Sequence, residues 1–165
     1  IQSAVFANTF PPNDLIADKN KTVGALLPLL PEWLVMSVLR GSIQQVVYPA
    51  SNHSELVLAY GVEQTYGRMR KAQVLARFRC VVERFEPTRV PSLKVPLLII
   101  EADNDPLVEA SLRAQLKSTY PSAKVHTFSG AGHFPYLNEA GAYSQLLRRF
   151  FNGSQITNEA RGGGQ

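Results

Sequence analysis

Residues 95–106, VPLLIIEADNDP, decide the fold of this chain. The first half is a nearly continuous apolar run, which is typical of a strand covered on both faces of a parallel sheet. The second half is an acidic turn. Carboxylates that follow a parallel strand lie at the edge where open α/β sheets bind ligands. The stretch therefore predicts a buried strand that delivers acidic side chains to a functional edge.

A second strand and a glycine–histidine loop follow this stretch. Residues 107–120 predict an amphipathic helix, because apolar side chains recur at i, i+4 spacing. Residues 124–128 predict the next strand, the loop GAGHFP occupies 130–135, and 137–151 predict a last helix. This alternation implies parallel pairing with a right-handed crossover. His133 and the acidic turn are therefore expected at the same edge of the sheet.

A short strand and a helical block precede the acidic stretch. Residues 1–8, IQSAVFAN, predict a buried strand, and residues 9–14 form a turn-rich exit. Helical patterns cover residues 22–28, 31–41, 54–66 and 71–85, although Gly61 weakens the third. We therefore expect α/β architecture, with three parallel strands and flanking helices interrupted by a helical insertion.

The predicted domain organisation has four parts. Residues 1–10 form a core strand, 11–90 a helical cap or lid, and 91–152 the C-terminal α/β core. Residues 153–165 are polar and glycine-rich, and predict a disordered tail. The chain opens with Ile1 inside an apolar run, so we expect a fragment of a longer protein.

Composition narrows the class of protein. The 165 residues are 45% hydrophobic and 18% charged, which is ordinary for a globular domain with a sizeable core. A net charge of +4 does not by itself indicate that the protein binds nucleic acid.

The single cysteine, Cys80, excludes an intrachain disulfide and is compatible with a reducing compartment. The opening residues do not resemble a secretory signal, and prolines interrupt the longest apolar region, 22–39. We expect a cytoplasmic protein.

The acidic turn and the histidine loop could form a catalytic pair. An aspartate that accepts the imidazole Nδ1–H fixes the tautomer and stabilises the imidazolium. Asp105 directly precedes Pro106 in the turn, and Asp103 is the rival acid. The simpler interpretation of Asp105 is a helix N-cap, because aspartate followed by proline is a favoured helix start. His133 as an ordinary loop residue is the corresponding alternative.

The remaining candidates for chemistry are weaker. His126 is interpreted as a sheet-face residue, His53 as an exposed residue before a helix, and Cys80 as an unpartnered helix residue. No serine lies in a Gly-x-Ser-x-Gly elbow, so the nucleophile of a triad would have to come from elsewhere. No Cys/His cluster has zinc spacing, and we predict neither a metal nor a cofactor.

These segments resemble the α/β-hydrolase superfamily. Residues 99–108, IIEADNDPLV, resemble its acid turn, and GAGHFP resembles its histidine loop. The opening strand and the helical insertion resemble its sixth strand and cap. Segments 7–10, 120–124 and 134–137 are closer to maspardin-type members. The chain departs from maspardin at His133, where the latter has a different residue.

The resemblance implies a hydrolase of the serine type. Asp105 would be the triad acid and His133 the general base, with a nucleophile upstream and a carboxylic ester or related acyl substrate. Trp33, Leu34 and Met36 would line an apolar pocket under the lid, or would belong to the core of the cap. We predict that the 165-residue chain alone is inactive.

Two other functions stay open. A maspardin-like adaptor would keep the fold without catalysis, and a missing upstream elbow serine would favour it. A small free-standing α/β domain is the third. A basic region in the cap predicts solvated helix faces or, alternatively, a peripheral contact with anionic lipid or an acidic protein. Its residues are Arg68, Arg70, Lys71, Arg77, Arg79, Arg84 and Arg89.

Overall fold

The computed structural model describes residues 1–11, 14–83 and 94–162, with side chains described up to residue 153. The chain divides into two compact units. The first consists of Ile1–Pro11 and Ser92–Gln165, and the second of Pro12–Pro91. The interpretation of the second unit as a lid stays a prediction.

The first unit contains a parallel sheet in the order β1-β2-β3. The strands are β1 (Ala4–Ala7), β2 (Leu97–Ala102) and β3 (Lys124–Phe128). Val5 pairs with Leu98 across the β1–β2 ladder, and Ile99 pairs with Val125 across the β2–β3 ladder. The predicted set of three parallel strands is confirmed. β1 is shorter than the predicted 1–8 and only half-buried.

All six residues of β2 are buried, as the continuous apolar run predicts. Successive side chains of a strand point to opposite faces. On one face, Leu98, Ile100 and Ala102 form a core with Phe128 and Ala131. The partly buried hydrophobic residues that pack against this core are Val5, Ala7, Tyr143, Leu146, Leu147 and Phe150. The last helix therefore covers that face of the sheet.

Three helices follow β2 and β3. They are α7 (Ala110–Thr119), α8 (Pro135–Asn138) and α9 (Ala140–Gly162). α7 begins three residues later than the predicted 107, because the N–H groups of Leu107 and Val108 donate to the Asp105 carboxylate and form a turn. The α9 backbone continues over residues for which the sequence predicts a disordered tail. Extending a formed helix costs less than nucleating one, which accounts for this difference. Residues 163–165 lie outside the described part.

The described residues of the second unit form helices joined by short turns and bends. Its helices are α1 (Asp14–Lys19), α2 (Lys21–Leu26), α3 (Glu32–Ser42), α4 (Tyr48–Ala50), α5 (Glu55–Glu63) and α6 (Lys71–Val82). α1 was not predicted, because the turn-rich residues before it dominate the local pattern. Ser54 caps α5 by accepting from Val57 N–H at 3.5 Å. The predicted Phe85 of α6 lies outside the described residues.

Gly61 allows two helical segments of the second unit to approach closely. A Cβ at this position would lie 2.8 Å from Cγ2 of Ile43, closer than real Cβ contacts allow. Ile43 begins a π-helical turn, Ile43–Val47, that follows α3. The glycine that weakens the sequence pattern is therefore what permits α5 to pack there.

Among the described residues, no helix combines the length and the apolar character that crossing a membrane requires.

Candidate functional site

The imidazole of His133 and the carboxylate of Asp105 lie side by side at the carboxyl edge of the sheet. His133 Nδ1 is 3.0 Å from Asp105 Oδ1 and 2.9 Å from Oδ2. The Asp105 side chain is 1% exposed and the His133 side chain 22% exposed, so the pair is shielded on the acid side and reachable on the histidine side. The structure gives Nε2 no hydrogen-bond partner among the residues that it describes. This nitrogen can therefore exchange protons with a ligand.

The Asp105 carboxylate has further donors that fix its orientation. Oδ1 accepts from the backbone N–H groups of Leu107, at 2.9 Å, and Val108, at 3.0 Å. Oδ2 accepts from Asn8 Nδ2 at 3.1 Å. α7 begins at Ala110 with Glu109 in the N-cap position, so Asp105 does not cap that helix. Its carboxylate closes the turn and faces the histidine instead.

Asp103, the rival acid, contacts the loop before the histidine rather than the imidazole. Its Oδ2 accepts from Ser129 Oγ at 2.8 Å, and its Oδ1 accepts from Gly130 N–H at 2.8 Å. Asp103 is exposed, whereas Asp105 is buried. The structure therefore brings Asp105, and not Asp103, to His133.

Asn104, between the two aspartates, completes a ladder of contacts between the acid turn and the histidine loop. Asn104 Oδ1 accepts from Gly132 N–H at 2.8 Å. Three consecutive side chains of the turn thus contact four positions of the loop, from Ser129 to His133. Gly130 and Gly132 adopt φ values of +68° and +65°, a left-handed conformation that glycine adopts without a steric cost. The Gly-x-Gly spacing before His133 is what lets the loop follow the turn.

Arg113 of α7 holds the other side of the acid turn. It donates from Nη1 to the Val108 carbonyl at 2.7 Å and from Nη2 to the Asp103 carbonyl at 3.1 Å. Its Nε lies 3.9 Å from Oε2 of Glu101, a buried carboxylate of β2. Arg113 therefore links the strand, the turn and the helix around Asp105.

Sequence reasoning missed Asn8, Asn104 and Arg113. The only local signal was the polar side chain of Asn104 inside the acid turn. Asn8 bonds to a residue 97 positions away, and nothing in its neighbourhood reports that contact.

The pKa values of both aspartates lie below their ordinary range. For Asp105, burial is the largest single influence and raises the pKa, but the hydrogen bonds from His133, Asn8 and the Leu107 N–H, together with the charge of His133, lower it by more. For Asp103, the hydrogen bonds from Gly130 N–H and Ser129 lower the pKa. Asp105 is therefore an anion at neutral pH and can stabilise a positive charge on His133.

The predicted pocket residues do not share one environment. Met36 is 4% exposed and belongs to the core of the second unit, whereas Trp33 is 71% exposed and Leu34 is half-buried. The apolar pattern of α3 does not report which of its side chains are covered. Among the described residues, these three side chains therefore do not line a common pocket.

The other predicted groups lie apart from the pair. His126 packs edge-on against Phe128, with ring centroids 4.6 Å apart, and His53 packs edge-on against Tyr48 at 5.1 Å. Cys80 is an exposed free thiol. Among the described residues, no group of three His, Cys, Asp or Glu side chains is placed to hold a metal ion.

The predicted basic region has members with different contacts. Arg68, Arg70, Arg77 and Arg79 are exposed. Lys71 donates to the carbonyls of Pro28, at 2.6 Å, and Leu30, at 2.5 Å, and so holds a turn of its own unit. Arg84 and Arg89 lie outside the described residues. A docking role for this region stays a prediction.

Comparisons with known proteins agree with this architecture. No protein-family model matches the chain. A 64-residue segment is 31% identical to Esterase YbfF of Escherichia coli (strain K12), which is 39% of this chain and 25% of that esterase. MenH from S. aureus superposes with a TM-score of 0.70 at 13% identity, over 94% of this chain and 60% of that one.

A third match is to a solved α/β-hydrolase. MGS-M2, an α/β-hydrolase enzyme from a Medee basin deep-sea metagenome library, superposes with a TM-score of 0.57 at 14% identity. The match covers 90% of this chain and 55% of that one. At such identities the likeness shows the fold alone. The chain therefore has the α/β-hydrolase fold, and it spans less than two thirds of the length of these proteins.

Proposed function

We propose that this portion of an α/β-hydrolase fold supplies the acid and the general base of a serine hydrolase, with the nucleophile in a segment of the protein that precedes Ile1. Asp105 is the acid and His133 is the base. The substrate is a carboxylic ester or a related acyl compound.

The contact between His133 Nδ1 and the Asp105 carboxylate carries this proposal. A carboxylate that accepts from Nδ1–H leaves the lone pair of the neutral imidazole on Nε2. Nε2 is the nitrogen without a partner among the described residues, and it belongs to a side chain that is 22% exposed. This combination supports a general base whose Nε2 lone pair is available to accept a proton from a second group.

The same arrangement supports both halves of an acyl transfer. His133 Nε2 takes the proton of the nucleophilic serine as that oxygen attacks the carbonyl carbon. It then gives the proton to the leaving alcohol. Asp105, whose carboxylate is held by three donors besides His133, stabilises the imidazolium between these steps. Water repeats the cycle on the acyl-enzyme.

The nucleophile is the part that this chain does not provide. The sequence contains no Gly-x-Ser-x-Gly elbow. In this fold the chain order is nucleophile, acid and histidine, so an elbow serine would precede β1. The lengths of the solved structures, of which the chain covers 60% and 55%, leave room for such a segment.

The choice of an acyl substrate rests on the pair and on the matches. Esterase YbfF is described as an esterase, and MGS-M2 as a hydrolase. Placement near maspardin-type members is part of this proposal and rests on segments 7–10, 120–124 and 134–137. If no serine occupies the upstream elbow, the adaptor function replaces the hydrolase.

Ester hydrolysis by the longer protein tests the proposal. The longer reading frame is expressed and assayed with p-nitrophenyl esters of increasing acyl length. His133→Gln should lower kcat/KM by about 10⁴-fold or more, because members of a triad act as a unit. His126→Gln is the matched control and should keep the activity. Equal activity in wild type and His133→Gln would overturn the assignment of the base.

A further inference from the structure

We propose that Asn8 is a positioning residue: its side-chain amide holds the Asp105 carboxylate in the orientation that accepts His133 Nδ1–H. The inference rests on the proposed function, because a positioned pair matters only where His133 acts as a base. Because Asn8 directly follows β1, the site would then include residues that follow all three strands.

The backbone of Asn8 turns sharply at the end of β1. Its φ is +44°, in the left-handed region that residues with a Cβ adopt only at a steric cost. Asparagine tolerates this region better than most residues. The Asn8 N–H donates to the Ile100 carbonyl at 2.9 Å, so the turn is still tied to β2. The turn begins where the Ala4–Ala7 ladder ends.

The placement of the Asn8 side chain also costs free energy of folding. Oδ1 is buried, and no described residue donates a hydrogen bond to it. An unpaired buried acceptor disfavours folding. Nδ2 makes the side-chain bond that the structure records, to Asp105 Oδ2 at 3.1 Å. A strained residue with an unpaired acceptor is better explained by its effect on the carboxylate than by stability.

The two carboxylate oxygens share His133 Nδ1 but otherwise depend on different donors. Oδ1 is held by two backbone N–H groups, from Leu107 and Val108. Oδ2 faces Asn8 Nδ2 and His133 Nδ1. Without the Asn8 amide, His133 alone would hold Oδ2, and the rotation of the carboxylate about its Cβ–Cγ bond would have one restraint fewer. Asn8 therefore helps to fix the plane of the carboxylate through Oδ2.

The charge of Asp105 depends on the same contact. The hydrogen bond from Asn8 is among the causes that lower the pKa of the Asp105 carboxyl. Asp103 and Asn104 act on the backbone and Ser129 side chain of the histidine loop and do not touch this carboxylate. Mutation of Asn8 can therefore test its contact with Asp105 without removing the contacts of Asp103 and Asn104.

Two substitutions test the role without removing the turn. Asn8→Gly keeps a residue that adopts positive φ and deletes the amide. Asn8→Asp keeps the shape and replaces the donor by a carboxylate. Asn52→Gly is the matched control, because Asn52 has a φ of +54° in the second unit. Circular dichroism of the longer protein carrying each substitution confirms that it is folded before the site is measured.

Nitrogen-15 NMR of His133 and carbon-13 NMR of the Asp105 carboxyl give the result. We expect Asn8→Gly to reduce the share of the Nδ1–H tautomer and to raise the pKa of Asp105. Asn8→Asp should raise that pKa more, because a like charge disfavours ionisation. Asn52→Gly should change neither quantity. If Asn8→Gly folds and leaves both unchanged, the inference is wrong. If Asn8→Gly does not fold, Asn8→Asp decides by the same two quantities.

Asp105→Ala separates this inference from the proposed function. If Asp105→Ala shifts the His133 tautomer and the Asn8 variants do not, only the role of Asn8 is wrong. If Asp105→Ala also leaves the tautomer unchanged, the pair itself does not operate, and the proposed function loses its base. The signals of His53 and His126 serve as internal references in every spectrum.

Discussion

His133 Nδ1 lies 2.9 Å from Asp105 Oδ2, although the two residues follow different strands and are 28 positions apart. Because β2 and β3 run parallel, their carboxyl ends meet at one edge, and the turn after one strand contacts the loop after the other. The sheet therefore creates the pair, and the ladder from Asp103, Asn104 and Asp105 fixes it.

Replacing each aspartate of the turn should have unequal effects on catalysis. In the longer protein, Asp105→Asn should lower kcat on the order of 10⁴-fold, because the wrong tautomer is then favoured. Asp103→Asn should have a far smaller effect, since Asp103 contacts Ser129 and the Gly130 N–H rather than the imidazole. Steady-state ester hydrolysis measures both. Equal losses would show that the acid has been misassigned.

The stability of the chain should depend on the ionisation of Asp105 at low pH. The folded-state pKa of Asp105 is lowered relative to that of an unfolded aspartate, which is about 3.9. A lowered carboxyl pKa contributes stability that is present above the unfolded pKa and is lost as the pH falls through the folded pKa. Urea unfolding between pH 5 and pH 2 should therefore show a smaller loss for Asp105→Asn than for wild type. Identical pH profiles would contradict the lowered pKa.

Removing the Asn104 side chain should loosen one position of the histidine loop. Asn104→Ala leaves the Gly132 N–H without its acceptor, which should cost about 1–3 kcal/mol of stability. Amide hydrogen exchange is the measurement. The Gly132 amide should exchange faster, while the Gly130 amide, bonded to Asp103, should stay protected. Unchanged exchange at Gly132 would show that this contact does not hold the loop.

Two glycines of the second unit should respond in opposite directions to alanine. Gly61→Ala should destabilise by about 1–3 kcal/mol, because its Cβ would overlap the Ile43 side chain. Gly41→Ala has open space and should stabilise by up to about 1 kcal/mol. Thermal or urea unfolding measures both.

A double mutant checks the cause of the Gly61 effect. Ile43→Ala removes the atom that the new Cβ would meet, so Gly61→Ala should cost less in that background than in wild type. An additive double mutant would mean that the close approach of Gly61 to Ile43 is not what the alanine disturbs.

The sheet and the pair were predictable from the sequence because each has a local signal. A run of apolar residues long enough to fill β2 predicts burial on both faces, and the structure confirms it. Asp105 before a proline and His133 after a Gly-x-Gly turn lie at the ends of consecutive parallel strands, so topology alone places them together.

The remaining contacts depend on backbone conformation and on distant packing. Asn104 meets Gly132 only because Gly130 and Gly132 adopt positive φ, which residue types permit but do not require. The contact of Asn8 joins residues 97 positions apart. For Trp33, the helical pattern predicts an apolar face but not which neighbour covers it, and the side chain is 71% exposed.

Labelling of the longer protein with an alkyl fluorophosphonate tests the central claim most directly, because it requires no knowledge of the substrate. The reagent reacts with a serine that a neighbouring base activates. Intact-mass and peptide analysis should find one adduct, on a serine that precedes Ile1, and His133→Gln should abolish it while His126→Gln retains it. No adduct on the folded wild-type protein, or equal labelling of His133→Gln, would contradict the account.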